Sequence, residues 1–247
     1  MSDYSKAIEH FNTTVDSKAN LSFIVRDSDL QCNALDELTA LSAEVEVWKK
    51  QAISERDEHH ANLFLGCECA IEALKAELNM WLELKEGKPD AAWNNLIVAQ
   101  MATRNAIRAH KGFSHLEVRA VRLVKIERVV FPQQVFFSAG MIVGRQRCSI
   151  CGGEYGECLH LIGMPYMGEF CRCLLEDVQG DHVAIVKEPA NKQCRVVSFN
   201  ADGGKRNRMT WRVDPTRIHN PNSDEKGLMV DGVLLALRDI GAKRSAQ

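Results

Sequence analysis

Between residues 148 and 171 the chain reads CSICGGEYGECLHLIGMPYMGEFC, and these residue types at these spacings suit metal or redox chemistry. Cys148 and Cys151 form a C-x-x-C, and Gly152 and Gly153 directly after it let the backbone turn so that its N–H groups face the sulfurs. Cys158 and His160 supply a second pair of donors shortly downstream. Thiolate sulfur and imidazole nitrogen are the donors of a structural Zn²⁺, and Cys148, Cys151, Cys158 and His160 make a full Cys₃His shell. A full shell leaves no open position for catalysis at the metal. Cys171 and Cys173 are alternates that can replace Cys158 or His160, so the sequence leaves the fourth ligand open. Two further readings are small core thiols and a redox pair, although no strand-to-helix context follows the C-x-x-C.

Composition bears on that choice. The chain has 247 residues, nine cysteines and a formal net charge of -2, with 45% hydrophobic and 26% charged residues. A chain of this length buries a real core and needs no covalent staples to fold. Near-neutral charge excludes a global electrostatic drive toward nucleic acid or membrane, so any binding face must be local. The first twenty residues, MSDYSKAIEHFNTTVDSKAN, hold no apolar run of signal-peptide length, and no later run reaches the length of a membrane span. A cytoplasmic location is therefore expected, where clustered cysteines are metal ligands more often than disulfides.

Elements must position the cysteine loop. From Asn33 to about Glu86 apolar residues recur at helical spacing (Leu38, Leu41, Val45, Trp48, then Leu63, Ile71, Leu74, Leu78, Trp81), which predicts one long or once-broken helix. GKPD at 87–90 stops it, and a second helix runs to about His110, giving an antiparallel helical hairpin. LEVRAVRLVKIERVVF then alternates apolar and charged residues as half-buried strands do, and VFFSAGMIVG, DHVAIVKEP and QCRVVSF also read as strands. NADGGKRN turns into RMTWRV, and a short last helix around VLLALRDI ends at Gly241.

FFSAGMIVG, the cysteine loop and HVAIVKEPANKQCRV together resemble tailed-phage prohead (capsid-maturation) serine proteases over residues 131–198. The resemblance implies a protease-like β domain, with Ser138 at the position of the family's Ser-x-Gly nucleophile. The histidines that precede it, His110 and His115, fall at a helix end and in a loop, which leaves Ser138 without a positioned base. A domain of this kind without proteolysis is the expectation. RNAIRAH at 104–110 resembles the motif of HEPN ribonucleases, which implies Arg104 and His110 acting together on a scissile phosphate. Six helical steps place these two side chains roughly 120° apart, so they converge only where the helix ends before His110.

Lys205, Arg206, Arg208, Arg212 and Arg217 interleave with Trp211 on a predicted hairpin, a pattern that can hold a phosphate backbone while an indole stacks on a base. His59 and His60 with Cys67 and Cys69 are read as exposed and core residues of a helix, without a site. The expected fold class is α+β: an N-terminal segment 1–32, a helical hairpin 33–117, a β-rich zinc-binding domain 118–218 and a C-terminal helix and tail 219–247. The expected partners are a protein or a second copy bound through the hairpin, with nucleic acid as a further candidate and no membrane. The expected activity is assembly or recognition in a phage, prophage or antiphage setting. Ribonuclease and serine protease are the alternatives.

Overall fold

The computed structural model describes residues 4–216 and 229–234. Arg217 and the expected last helix beyond Leu234, with its stop at Gly241, lie outside them. The fold is mixed α+β: helices come first, and strands follow from Phe136 onward.

Five helices form the first part: α1 (Ser5–Ala19), α2 (Ser28–Ser54), α3 (Glu58–Lys85), α4 (Pro89–Ala109) and α5 (Glu117–Val130). The expected long helix is broken once, between α2 and α3, and the local sequence explains the break. At the end of α2 the N–H of Asp57 bonds the carbonyl of Ala52 and the N–H of Arg56 that of Ile53, with Arg56 at φ 57. This closes the helix in the Schellman pattern. Asp57 then starts α3, its carboxylate accepting from the N–H of His60 at 3.1 Å. Gly87, at φ 70, closes α3 in the same way, with the N–H of Lys88 on Glu83 and its own on Leu84. The core of these helices is Leu38, Leu41 and Val45 of α2 against Phe64, Ile71, Leu74 and Leu78 of α3.

The structure adds one element and corrects one expectation. The N-terminal segment 1–32, to which no element was assigned, contains α1, whose Phe11 is buried edge-on to Phe113 at 6.2 Å. The stretch LEVRAVRLVKIERVVF, expected as strands, is α5. Its alternation of valines and charges is compatible with either form, and tertiary contact decides. Arg119 and Arg122 lie on one helical face and both reach the carboxylate of Glu77, which is wholly buried in α3. Leu123 on the same side is fully enclosed. A strand would send Arg119 and Arg122 to opposite faces. The helical region therefore runs past residue 117 to Val130 and is a multi-helix assembly rather than a hairpin.

The described residues divide into two compact units. The first is 4–131 with 143–178, so the cysteine loop belongs with the helices. The second is 132–142 with 179–216 and 229–234. Strands β1 (Phe136–Cys148) and β4 (Cys173–Val186) pair in a two-stranded ribbon, and β2 (Pro165–Tyr166) and β3 (Glu169–Phe170) form a small hairpin within the cysteine loop. The second unit holds β5 (Val196–Ala201), β6 (Gly204–Asn207), β7 (Val213–Asp214) and β8 (Val230–Gly232), in the order β7-β6-β5-β8 with every neighbouring pair antiparallel. Among the described residues no helix is long and apolar enough to cross a membrane.

Candidate metal centre

The site is built at the end of β1. The N–H of Cys148 bonds the carbonyl of Gly153 at 2.9 Å and the N–H of Gly152 bonds the carbonyl of Cys148 at 2.9 Å, a tight turn that Gly152 permits at φ 71. Inside that turn the N–H of Ile150 points at Cys148 Sγ, 3.4 Å away. The start of β4 locks the turn: Ser149 donates from its N–H to the carbonyl of Arg172 at 2.9 Å, and its Oγ accepts from the N–H of Arg172 at 2.8 Å.

The second pair of donors is held by two tyrosines. Tyr155 Oη accepts from the N–H of Ile162 at 3.3 Å, and Tyr166 Oη from the N–H of Leu161 at 3.0 Å. Tyr166 also stands edge-on to the His160 ring at 4.7 Å, which fixes the imidazole plane. The whole loop is anchored on α3. At the tip of the β2–β3 hairpin the N–H of Gly168 bonds Asn62 Oδ1 at 2.9 Å and that of Met167 bonds Glu58 Oε1 at 3.3 Å.

The donor atoms of Cys148, Cys151, Cys158 and His160 all lie within 4.8 Å of one another. All four belong to the set expected from spacing. Tetrahedral zinc with Zn–S near 2.3 Å needs ligand atoms about 3.8 Å apart, so the cluster requires little contraction to close on an ion. Cys148 is buried and His160 Nδ1 is buried without a hydrogen-bond partner among the described residues. A nitrogen left bare in a pocket of sulfur is costly unless something else satisfies it, and a metal ion does so. The donors present therefore fit a divalent ion of zinc's preferences, and all nine cysteines are free thiols.

Cys171 is a fifth donor. Its Sγ is 3.7 Å from that of Cys148, the separation of two ligands on one zinc. Its backbone is fixed by Met164 and Gly163 on the β-ladder side of the loop, at 2.9 and 2.8 Å. Cys173 is placed differently, half-buried with Sγ near Gln146 Oε1 at 3.6 Å.

Electrostatics of the sulfurs are consistent with a bound cation. Backbone N–H groups of Cys151, and then of Ile150, hold the Cys148 thiol down to about 6 against the opposing effect of desolvation. Burial and the charge of Cys148 push Cys171 up to about 11, and burial raises Cys158. One thiolate is thus stabilised and its neighbours are repelled by it, the arrangement that a divalent cation resolves.

The other candidates are placed as follows. Helix α4 does end at Ala109, before His110, as convergence with Arg104 requires. Arg104 nevertheless lines the groove between α4 and α5, while the His110 ring lies 4.7 Å from that of His59 and its Nδ1 accepts from the N–H of Gly112 at 3.1 Å. His59 also lies 5.2 Å from His60. Cys67 and Cys69 are buried, and desolvation pushes both thiols far up, Cys69 to about 12, which fits core packing. Ser138 is half-buried in β1. His182 of β4 sits over Gly140, two residues along that strand, and pairs with Asp181 at 2.9 Å. No hydrogen bond joins Ser138 to His182 among the described residues. In the hairpin of the second unit Lys205 is bonded to Asp231, and Arg206 and Arg208 flank the Trp211 ring at 5.7 and 5.9 Å. Arg212 is exposed there.

Sequence reasoning missed Glu77, whose carboxylate organises α5. Its signal is a lone acid between Leu74, Leu78 and Trp81 at core spacing. It also missed Glu58 and Asn62, which hold the tip of the loop and carry no signal beyond being polar.

Fold and site together define a mixed α+β protein with a Cys/His cluster able to hold a metal ion. No protein-family model matches the chain, and no match is found among curated proteins or solved structures.

Proposed function

We propose that the chain is a zinc-stabilised assembly or recognition module in which the metal is structural. One observation carries the reading: four soft and borderline donors, from Cys148, Cys151, Cys158 and His160, lie within 4.8 Å of one another. Four protein ligands fill the shell of Zn²⁺, which leaves no position for water or substrate. The ion would supply folding energy to a loop that has few apolar residues of its own to bury, since Leu159, Leu161 and Ile162 are exposed. Nine free thiols suit the reducing environment of a cytoplasm.

The phage, prophage or antiphage setting is part of the proposal and rests on the resemblance of residues 131–198. Catalysis has less support. The His110 Nδ1 is occupied by the backbone, and among the described residues Ser138 has no hydrogen-bonded base. Elemental mass spectrometry of the purified protein tests the reading. About one zinc per chain is expected, and Cys151→Ser should lose it and loosen the loop. A metal-free wild type with an intact fold would overturn it.

A further inference from the structure

We propose that the groove between α4 and α5 docks an acidic amphipathic helix of a partner protein. The inference rests on reading the chain as a recognition module and names the chemistry of what it recognises. The groove has a volume of ≈ 720 Å³ and lies open to solvent. Its floor is aliphatic, made by Met101 and Ile107 of α4 and by Ala120, Val121 and Val124 of α5. Val121 is 55% exposed and Met101 36%, so the floor leaves apolar surface in water.

The rim is basic. Arg104 and Arg108 stand on one wall and Lys125 and Arg128 on the other, against the single carboxylate of Glu117. Arg108 is committed, since it bonds Asn105 and lies over the Phe170 ring at 5.9 Å. Arg104, Lys125 and Arg128 make no hydrogen bond or ion pair among the described residues. The lining positions are 101, 104, 105, 107 and 108 on α4 and 117, 120, 121, 124, 125 and 128 on α5. The second stripe runs three turns, about 16 Å. That length and the apolar floor suit a helix presenting anchors at i, i+3, i+4 and i+7. Carboxylates beside those anchors would meet the three uncommitted cations, and Arg is suited to bidentate binding of carboxylate. Cations alone would also suit nucleic acid, but among the described residues the lining offers no aromatic ring on which a base can stack.

The test uses the whole zinc-loaded chain and fluorescence anisotropy. The probes are labelled helical peptides with Leu or Val at the anchor positions and Glu beside them, a matched set with Lys in place of Glu, a single-stranded oligonucleotide and phosphatidylserine vesicles. Saturable binding of the Glu peptides is expected, falling by about tenfold or more in Arg104→Glu/Lys125→Glu and in Val121→Asp. Both variants should keep the melting temperature and metal content of the wild type, because the substituted side chains are exposed. The proposal is overturned if no Glu peptide binds, if the Lys set binds equally well, or if only the oligonucleotide or the vesicles respond to the variants. Metal content measured on the same samples separates the two ideas. Absent zinc sinks the metal reading, whereas peptide failure on zinc-loaded protein sinks the groove alone.

Discussion

Arg119 donates from Nε and Nη2 to one oxygen of Glu77, at 3.0 and 2.8 Å, and the Glu77 side chain is wholly out of solvent. Arg122 adds bonds to both carboxylate oxygens at 2.7 and 2.8 Å. Two guanidiniums thus neutralise one buried acid, and α5 is pinned to α3 by the set. Removing the acid strands two cations at a desolvated interface, so Glu77→Ala should destabilise the helical unit by about 3–5 kcal/mol. Urea denaturation followed by circular dichroism measures this. A loss under about 1 kcal/mol would mean the pair contributes no more than a surface bridge.

Gly66 allows the Phe113 ring to lie directly on the α3 backbone. A Cβ at residue 66 would overlap the ring edge, and Phe113 is itself buried. Gly66→Ala gains helix propensity yet should cost about 1–3 kcal/mol through overpacking. Gly66→Ala/Phe113→Leu should recover part of that loss, a coupling that a double-mutant cycle reads directly.

Cys171 stands beside the four donors of the cluster, so five side chains could supply the four positions on a bound ion. Under the Cys₃His reading, His160→Ala should weaken metal binding by more than about tenfold, the range seen even for the outer partners of a ligand. Cys171→Ser should retain the ion. Competition against a chromogenic chelator gives the affinities, and absorption of the Co²⁺-loaded protein counts the thiolates. The reverse ranking of the two variants would assign Cys171 to the shell and His160 to its surroundings.

His110 titrates below its ordinary value of 6.5, chiefly because burial penalises its charged form, with the charges of His59, Lys111 and His60 acting in the same direction. Well above pH 6.5 neither folded nor unfolded chain holds the proton. Below it the unfolded chain takes up the proton first, so this residue's contribution to stability falls as the pH drops toward the folded pKa. His110→Asn keeps a side-chain oxygen for the N–H of Gly112 and removes the titration. Melting temperature against pH should therefore fall less steeply below 6.5 in the variant. The same variant, assayed for RNA cleavage in EDTA, tests the ribonuclease alternative, for which the expected result is no activity to lose.

The cluster of Cys148, Cys151, Cys158 and His160 was legible because a knuckle is local. The turn after Cys148 is set by Gly152 and by backbone hydrogen bonds within the loop, so spacing alone brought these donors forward as candidates while leaving the fourth position open. The break between α2 and α3 and the stop at Gly87 are local as well, written in Asp57 and in the left-handed residue that ends each helix. Helix α5 was not legible. Its valines and its charges serve strand and helix alike, and the choice falls to Glu77, which lies more than forty positions earlier in the sequence. Cys171 and Arg104 follow the same rule. Distance along the chain says nothing of whether a sulfur reaches Cys148 or whether a guanidinium finds a carboxylate, since packing of separate elements sets both. What the sequence determined by itself was the chemistry carried by short-range geometry. The tertiary structure decided which secondary structure an ambiguous stretch adopts and which charges are left unpaired, because burial and Coulomb attraction act between residues that only folding brings together.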